Sequence, residues 1–286
     1  MFHLRLGAGL GNRLFQYASV KGFASKLNME VNLIQIENTF HETNNSYKWF
    51  NEKISNDIKN ISIDFANSEN IVNSEYLIYD QPYEEHLDCE TSIEQFKNKK
   101  HIKIFGYFQY EKNFLHIRNE LLDIFKERHE ITKELHKYEY SLPCNFSEIT
   151  LLHIRLGDYI NCPKHFVNLE NYYMKCITKL RETNNKLTIL ILCEDPHHIQ
   201  NVYKSLFNFI IENDCLIIKS PNNHNSVEFD LYLMTRCKNI ICSNSTFAWW
   251  GAWLNSNPEK KVFIPNKWLN DRPYIINMEG AIKMDV

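Results

Sequence analysis

Three residues whose side chains can do chemistry lie within six positions of one another, at His153, Arg155 and Asp158. An arginine guanidinium is always charged, and its planar fork suits phosphate oxygens. A histidine and a carboxylate beside it can position the same ligand. The plainer alternative is an Arg155–Asp158 ion pair that closes a turn, with His153 as a hydrogen-bonded core residue.

The segment that carries these residues has the pattern of a buried strand. The run 149–155 is β-branched and apolar, and a glycine follows shortly after it. Alternation along a strand places Leu152, Ile154 and Leu156 on one face and points Arg155 to the other. Open α/β sheets bind ligands beyond the carboxyl ends of their strands, so this pattern delivers a fixed cation to a ligand-binding edge.

The rest of the second half alternates regularly between strands and helices. The predicted strands are 149–155, 187–193, 216–218, 239–242 and 261–264, the last being the final strand, and the predicted helices are 169–181, a helix opened by 194–196, 227–237 and 245–255. Such alternation predicts a parallel sheet with helices on both faces.

The first half opens with a strand at 2–6, a glycine-rich loop, a helix to about residue 28 and a strand at 31–36. Three of the eight glycines lie within five residues. Glycines let backbone amides approach a ligand closely, and the helix start adds a partial positive charge. A dinucleotide fold would require G-x-G-x-x-G, but the spacing here is G-x-G-x-G followed by Asn12, which disfavours a nicotinamide oxidoreductase.

Between these regular parts the pattern is weaker. Residues 37–100 are polar and predict loops and short helices. A strand is expected at 101–105, a helix from about 114 to 126, and another from about 132 that ends near Leu142-Pro143. We place the domain boundary after this helix, giving domains 1–147 and 148–286.

Two further turns join a strand to a helix and carry polar groups. In the first, Ser245 is a natural N-cap, and the amides beyond it can bind an anion. The tryptophans of the helix that follows are expected in the core. In the second, Glu194-Asp195-Pro196 can cap a helix, contact a nucleotide, or do both.

Composition excludes several classes of protein. The net charge of −3 over 286 residues provides no basic field for nucleic acid. Eight cysteines without a C-x-x-C pair favour reduced thiols in the cytoplasm. We expect no signal peptide and no membrane span, which leaves only peripheral membrane contact open. The chain contains no D-x-D, the pair with which metal-dependent sugar transferases hold a divalent ion.

Several segments, in order along the chain, resemble the α-1,2-fucosyltransferases of glycosyltransferase family 11. The segments are 9–18 (GLGNRLFQYA), 106–114 (GYFQYEKNF), 151–159 (LLHIRLGDY), 228–254, which ends in SNSTFAWWGAWL, and 258–268. Three positions depart from the family pattern: Arg13 stands in place of glutamine, Leu156 in place of a second arginine, and Glu194 in place of an aspartate.

The resemblance implies a GT-B-like α/β fold of two Rossmann-like halves with the active site in the cleft between them. It implies an inverting, metal-independent enzyme without a cofactor, of bacterial or viral type, that moves L-fucose from GDP-β-L-fucose to the 2-hydroxyl of a terminal β-galactoside. The first domain would be the acceptor side and the second would bind the GDP-sugar.

The same resemblance implies roles for particular residues. The catalytic candidates are Arg155, His153, Asp158 and Asn12, and the donor-binding candidates are Gly9, Gly11, Asn12, His153, Arg155, Glu194, Asp230, Ser243, Ser245, Thr246 and Phe247. Asp230 would accept hydrogen bonds from the guanine edge. The alternatives are a GDP-sugar transferase with another acceptor hydroxyl and a nucleotide-sugar-binding protein without catalysis.

Overall fold

A computed structural model describes residues 1–36, 44–55, 76–80, 89–219 and 227–286. The chain forms two compact units, Met1–Lys126 and Glu127–Val286. Both are α/β units built on a wholly parallel sheet, as the sequence predicts.

The first unit contains a four-stranded sheet. Its strands are β1 (Phe2–Leu6), β2 (Val31–Ile36), β3 (Tyr76–Asp80) and β4 (His101–Phe105), in the order β2-β1-β4-β3. Its helices are α1 (Leu10–Leu27), α2 (Asn44–Ser55), α3 (Cys89–Phe96) and α4 (Arg118–Ile124). Because β1 pairs with both β2 and β4, the loops that follow β1 and β4 meet at the carboxyl edge of this sheet.

Helix α1 is the core of the first unit. Leu14, Phe15 and Ala18 are fully buried. Gly22 allows close packing, since a Cβ atom there would stand 2.0 Å from the carbonyl oxygen of Asn113. This face of the helix is therefore tightly packed.

The second unit contains a six-stranded sheet. Its strands are β5 (Ile149–Ile154), β6 (Thr188–Cys193), β7 (Cys215–Ile218), β8 (Asn239–Ile241), β9 (Lys261–Pro265) and β10 (Ile282–Met284), in the order β10-β9-β8-β5-β6-β7. Its helices are α5 (His129–Tyr140), α6 (Glu170–Arg181), α7 (Pro196–Val202), α8 (Lys204–Ile211), α9 (Val227–Arg236) and α10 (Thr246–Leu254). Strand β5 is central and buried along its whole length.

One face of β5 lies on the core that α6 and α8 complete. Leu152, Ile154 and Leu156 belong to this core cluster, together with Tyr172 of α6 and Leu206 of α8. The predicted alternation along the strand is thereby confirmed, including the apolar side on which Leu156 lies.

Four features differ from the sequence-based expectations. The region 37–100, expected to hold loops and short helices, also contributes the strand β3, and β10 follows the strand expected to be last. The helix expected from about 114 begins as two 3-10 turns, Glu111–Asn113 and Leu115–Ile117, before α4. The compact units divide after Lys126 rather than after residue 147.

The earlier division has a physical reason, because α5 packs on α9 of the second unit. The ring of Tyr138 in α5 lies edge-on to Phe229 in α9, with centroids 5.7 Å apart. Just before α5, Arg128 forms a bidentate ion pair with the buried carboxylate of Glu228. Residues 127–147 therefore belong to the second unit.

Candidate active site

The guanidinium of Arg155 lies just beyond the end of β5, between two carboxylates. One terminal nitrogen pairs with Asp158 and the other with Glu194. The ring of Tyr159 lies 5.1 Å from the guanidinium carbon. The arginine side chain keeps 27% of its surface exposed, so the cation remains within reach of a ligand.

The ion pair with Asp158 is the one that the plainer alternative predicts. It does not exclude a ligand role, because the guanidinium has five N–H donors and stands at the carboxyl edge of the sheet. Asp158 itself lies in the 3-10 turn Gly157–Asn161 that follows the strand.

Gly157 makes room for the second carboxylate. Its φ is +23°, and a Cβ atom there would stand 2.2 Å from Oε2 of Glu194. A side chain at this position would therefore push the glutamate away from Arg155.

In the turn after β6, two neighbouring acidic residues have different partners. Asp195 caps α7, since its Oδ1 accepts a hydrogen bond from the backbone N–H of His198 at 3.1 Å. Glu194 instead turns to Arg155. The sequence left capping and ligand contact open for this turn, and the structure gives the cap to the aspartate.

His153 is buried and fixed by a neighbouring strand. Its Nδ1 lies 2.8 Å from Oγ of Ser243, which follows β8. Burial, with a smaller effect of the nearby Arg155 charge, lowers the pKa of His153 to about 3. The imidazole is therefore neutral near pH 7 and can position its neighbours through hydrogen bonds.

Hydrogen bonds from Asn244 hold the turn 243–247, which leads into α10. The side-chain amide of Asn244 donates to the carbonyls of His165 and Trp268, each at 2.9 Å. Ser245 is the N-cap residue, as predicted, although its side chain does not accept a helix N–H. Its hydroxyl is thus not committed to capping.

The first turn of α10 and its tryptophans have separate places. Phe247 lies against the imidazole of His153, with ring centroids 6.2 Å apart, and Thr246 begins the helix. Trp249, Trp250 and Trp253 are at most 1% exposed, so the prediction that they belong to the core is confirmed.

The carboxylate of Asp230 forms an ion pair with a lysine. Its Oδ1 lies 2.6 Å from the ammonium of Lys219, which directly follows β7 and is 4% exposed. Burial raises the pKa of the Asp230 carboxyl, and the lysine charge opposes that rise. Lys219 was not among the predicted site residues; the signal for it is a lysine that ends an apolar strand run.

The glycine-rich loop of the first unit is shaped by side chains of α1. The N–H of Gly7 donates to Oε1 of Gln16 at 3.0 Å, and Nε of Arg13 donates to the carbonyl of Ala8 at 3.0 Å. Ala8 has a positive φ of 61°, a strained conformation that these bonds hold. Arg13, the departure from the family pattern, is therefore a fully buried part of the loop's support.

In this loop the space beside Gly9 is open, and a hydrogen bond orients the side-chain amide of Asn12. No atom lies within 4 Å of a Cβ built on Gly9, whereas Gly11 is buried in the first turn of α1. Oδ1 of Asn12 accepts a hydrogen bond from Nε2 of Gln109 at 2.6 Å. Gln109 follows β4 and was not among the predicted site residues, although the 106–114 motif contains it.

The structure thus brings the predicted residues together within each unit. Arg155, Glu194, His153 and the 243–247 turn gather at the carboxyl edge of the second sheet, and the glycine loop with Asn12 stands at the carboxyl edge of the first. In the described part of the chain, no three His, Cys, Asp or Glu side chains gather as metal ligands would. Among the same residues no helix is long and apolar enough to cross a bilayer.

Two curated relatives from Escherichia coli match most of the chain. The O-antigen biosynthesis glycosyltransferase WbnK is 27% identical, over 92% of this chain and 93% of its own length. An alpha-1,2-colitosyltransferase is 26% identical, over 92% of this chain and 91% of its own length.

Solved structures share the fold at low sequence identity. A FUT1 variant from Arabidopsis thaliana, in complex with GDP, has a TM-score of 0.53 and 12% identity, over 91% of this chain and 70% of that one. The fucosyltransferase NodZ from Bradyrhizobium has a TM-score of 0.50 and 15% identity, over 88% and 92%. The two parallel α/β units are therefore those of the GT-B-like fucosyltransferase fold.

The profile of glycosyl transferase family 11 matches residues 1–284. Since that match spans nearly the whole chain, including every segment on which the resemblance depends, this protein belongs to glycosyl transferase family 11 and is a glycosyltransferase.

Proposed function

We propose that this enzyme transfers L-fucose from GDP-β-L-fucose to the 2-hydroxyl of a terminal β-galactoside, with inversion at the anomeric carbon and without a metal ion. The observation that carries the proposal is Arg155, a partly exposed guanidinium just beyond the central strand of a family 11 chain. A cation in that place can neutralise the diphosphate as it departs.

The donor would be held mainly by groups of the second unit. Arg155 would bind the β-phosphate, and the turn 243–247 with His153 would position the nucleotide. Asp230 would accept hydrogen bonds from the guanine edge. The family resemblance also assigns donor binding to Gly9, Gly11 and Asn12 of the glycine loop.

Catalysis would depend mainly on the leaving group. The transition state of glycosyl transfer resembles an oxocarbenium ion, so charge develops on the departing diphosphate as the bond breaks. Charge-assisted hydrogen bonds contribute about 1.5–3 kcal/mol each, and they accelerate the reaction where they tighten in the transition state. The Arg155 fork can form two of them.

The role of Asp158 separates two versions of this mechanism. If its carboxylate takes the acceptor proton, the Asp158→Asn variant loses transfer without any loss of donor affinity. If departure of GDP suffices, the variant retains most of its activity, because the amide still supports Arg155 by a hydrogen bond.

The direct test is incubation with GDP-fucose and a panel of galactose-terminated glycans in a chelator, followed by linkage analysis of the product. An α-1,2-linked fucosyl product supports the proposal. Transfer to another hydroxyl, or loss of transfer in EDTA that magnesium restores, contradicts it. Binding of GDP-fucose without transfer or hydrolysis would favour a binding protein instead.

A colitosyl donor is the second candidate. One of the two curated relatives described above is an alpha-1,2-colitosyltransferase that aligns over 92% of this chain. The same panel with a colitosyl donor beside GDP-fucose distinguishes the two by their kcat/KM ratio.

A further inference from the structure

Lys219 is a buried cation at the carboxyl edge of the second sheet. Its backbone N–H donates to the carbonyl of Ile191 at 3.0 Å, which fixes it at the end of the β6–β7 ladder. Only 4% of its side chain is exposed. Removing an ammonium from water is costly, so a lysine is rarely buried without a charged partner.

The partner is Asp230, and the two ends of the pair differ in exposure. The ammonium lies 2.6 Å from Oδ1 and 5.5 Å from the ring centre of Phe229. The Asp230 side chain keeps 27% of its surface exposed. Oδ1, which faces Lys219, is buried, so a ligand can reach Asp230 only through the exposed part of its side chain and not through that oxygen.

The surroundings would otherwise favour a neutral carboxyl. Burial raises the pKa of Asp230, and Lys219 is the group that opposes the rise. Cys193 and Tyr138 also lie in this neighbourhood, and burial raises the pKa of both to about 12, so both are uncharged near pH 7. Asp195 is a further negative charge near Cys193. An ionised carboxylate accepts stronger hydrogen bonds than a neutral carboxyl, so removal of the lysine charge would weaken Asp230 as an acceptor.

We propose that Lys219 is a positioning residue for base recognition, which holds Asp230 as an oriented, ionised acceptor and thereby sets the preference for guanine over adenine in the nucleotide. This inference rests on the proposed function, in which Asp230 contacts the base. The guanine edge presents two adjacent donors, N1–H and the exocyclic amine, which match a carboxylate. Adenine presents an acceptor at N1, which the carboxylate repels.

The test measures the dissociation constants of GDP and ADP by calorimetry for the intact enzyme and for Asp230→Asn, Lys219→Met and Lys219→Arg. We expect the intact enzyme to prefer GDP and Asp230→Asn to lose most of that preference. Lys219→Met should reduce the GDP/ADP ratio at least tenfold while its ADP affinity stays within about twofold. Lys219→Arg should restore most of the ratio, because it returns the charge.

A pH series adds a readout that a merely structural role would not change. In Lys219→Met the carboxyl of Asp230 should take up a proton at a higher pH than in the intact enzyme. GDP affinity should therefore begin to fall at a higher pH as the solution is acidified, whereas ADP affinity should not fall with it, because protonation of Asp230 removes the charge that repels N1 of adenine.

The outcomes separate this inference from the proposed function. If Asp230→Asn loses the preference and Lys219→Met keeps it, the inference is wrong and the function stands. If Lys219→Met weakens GDP and ADP equally, the lysine is only structural and the inference is also wrong. If Asp230→Asn keeps the preference for GDP, the proposed contact of Asp230 with guanine is wrong, and the inference about Lys219 is wrong with it. Should the methionine variant not fold, Lys219→Gln carries the same comparison, since it removes the charge and keeps a donor.

Discussion

Glu194 and Arg155 form an ion pair although they follow different strands, β6 and β5. The glutamate reaches the guanidinium through the space that Gly157 leaves open. An internal anion therefore contacts the group that the proposed function assigns to the donor diphosphate. Because both anions need the same N–H donors, they compete for Arg155.

The Glu194→Gln variant should bind GDP more tightly, by about twofold to fivefold. Both side chains of the pair are more than a quarter exposed, so the pair stabilises Arg155 by at most about 1 kcal/mol. Removing it should increase the affinity for the competing anion, GDP, by no more than that amount. Calorimetry at two salt concentrations measures this. Asp195→Asn is the matched control, because it weakens the cap of α7 without freeing Arg155. Weaker GDP binding by Glu194→Gln would mean that the glutamate orients Arg155 for the donor.

The Arg155→Lys variant should lose about 10- to 100-fold in kcat/KM for GDP-fucose. Lysine keeps the charge but loses the fork, so one of two charge-assisted hydrogen bonds to the leaving group disappears. Initial-rate kinetics with a galactoside acceptor measure the loss. Arg181→Lys, in the same unit but paired with Asp214, should leave kcat/KM unchanged. Near-normal turnover by Arg155→Lys would refute its role at the leaving group.

The Gln109→Glu variant tests whether the orientation of Asn12 matters. Nε2 of Gln109 donates to Oδ1 of Asn12, and a carboxylate in its place has no donor to offer. Asn12 should then turn its amide group toward the new carboxylate and present its oxygen in place of its N–H groups elsewhere. We expect kcat/KM for the donor to fall roughly tenfold, or about 1.4 kcal/mol, with a melting temperature close to that of the intact protein. Gln109→Asn, a shorter amide, serves as the comparison. Unchanged kinetics for the glutamate variant would remove Asn12 from the active site.

The regular part of the fold could be predicted from the sequence because its patterns are local. The apolar run at 149–155, the glycine loop before α1 and the turn at 194–196 each carry their signals within a few residues. Strand β10 carries no such signal, since it is only three residues long and alternates with polar positions. Its place comes from pairing with β9, which is a tertiary interaction.

The residue types of the site and the local Arg155–Asp158 pair could be predicted, but the pairings between residues distant along the chain could not. The sequence identified Arg155 and Glu194 separately, yet their contact depends on β5 and β6 being neighbours in the sheet. Lys219 and Gln109 were not predicted for the same reason. Each contacts a partner on a different element, Asp230 for the lysine and Asn12 for the glutamine. The division of the compact units after Lys126 also depends on contacts between residues distant along the chain, since α5 packs on α9.

Stability should fall as the pH is lowered from about 6.5. His3 is buried in β1 beside His101, and burial, followed by the His101 charge and that of the N-terminus, lowers the pKa of His3 to about 4. The folded protein stays neutral at His3 while the unfolded chain takes up a proton below pH 6.5, so stability is complete above 6.5 and declines down to about 4. At pH 5.5 His3 alone should cost about 1.4 kcal/mol. Urea unfolding at pH 7.5 and 5.5 measures the difference, and His3→Gln should reduce it by about that amount. His153 contributes in the same direction, since the pKa of its imidazole is lowered to about 3.

The buried Asp214 should be among the costliest carboxylates to remove. Its side chain is fully buried; Oδ1 accepts from the backbone N–H of Leu187 at 2.9 Å, and Oδ2 pairs with Arg181. Asp214→Asn keeps an acceptor for Leu187 but leaves the largely buried guanidinium without its counter-charge, which should cost about 3 kcal/mol. Asp214→Ala also leaves the buried backbone N–H of Leu187 without an acceptor, which should reduce the free energy of unfolding by a further 1–3 kcal/mol or so. Urea unfolding gives both values. Because this network lies at the start of β6 and β7, opposite the edge that carries Arg155, GDP affinity at low temperature should be unchanged in both variants. Equal losses in the two would mean that the ion pair, and not the hydrogen bond to Leu187, accounts for the whole effect.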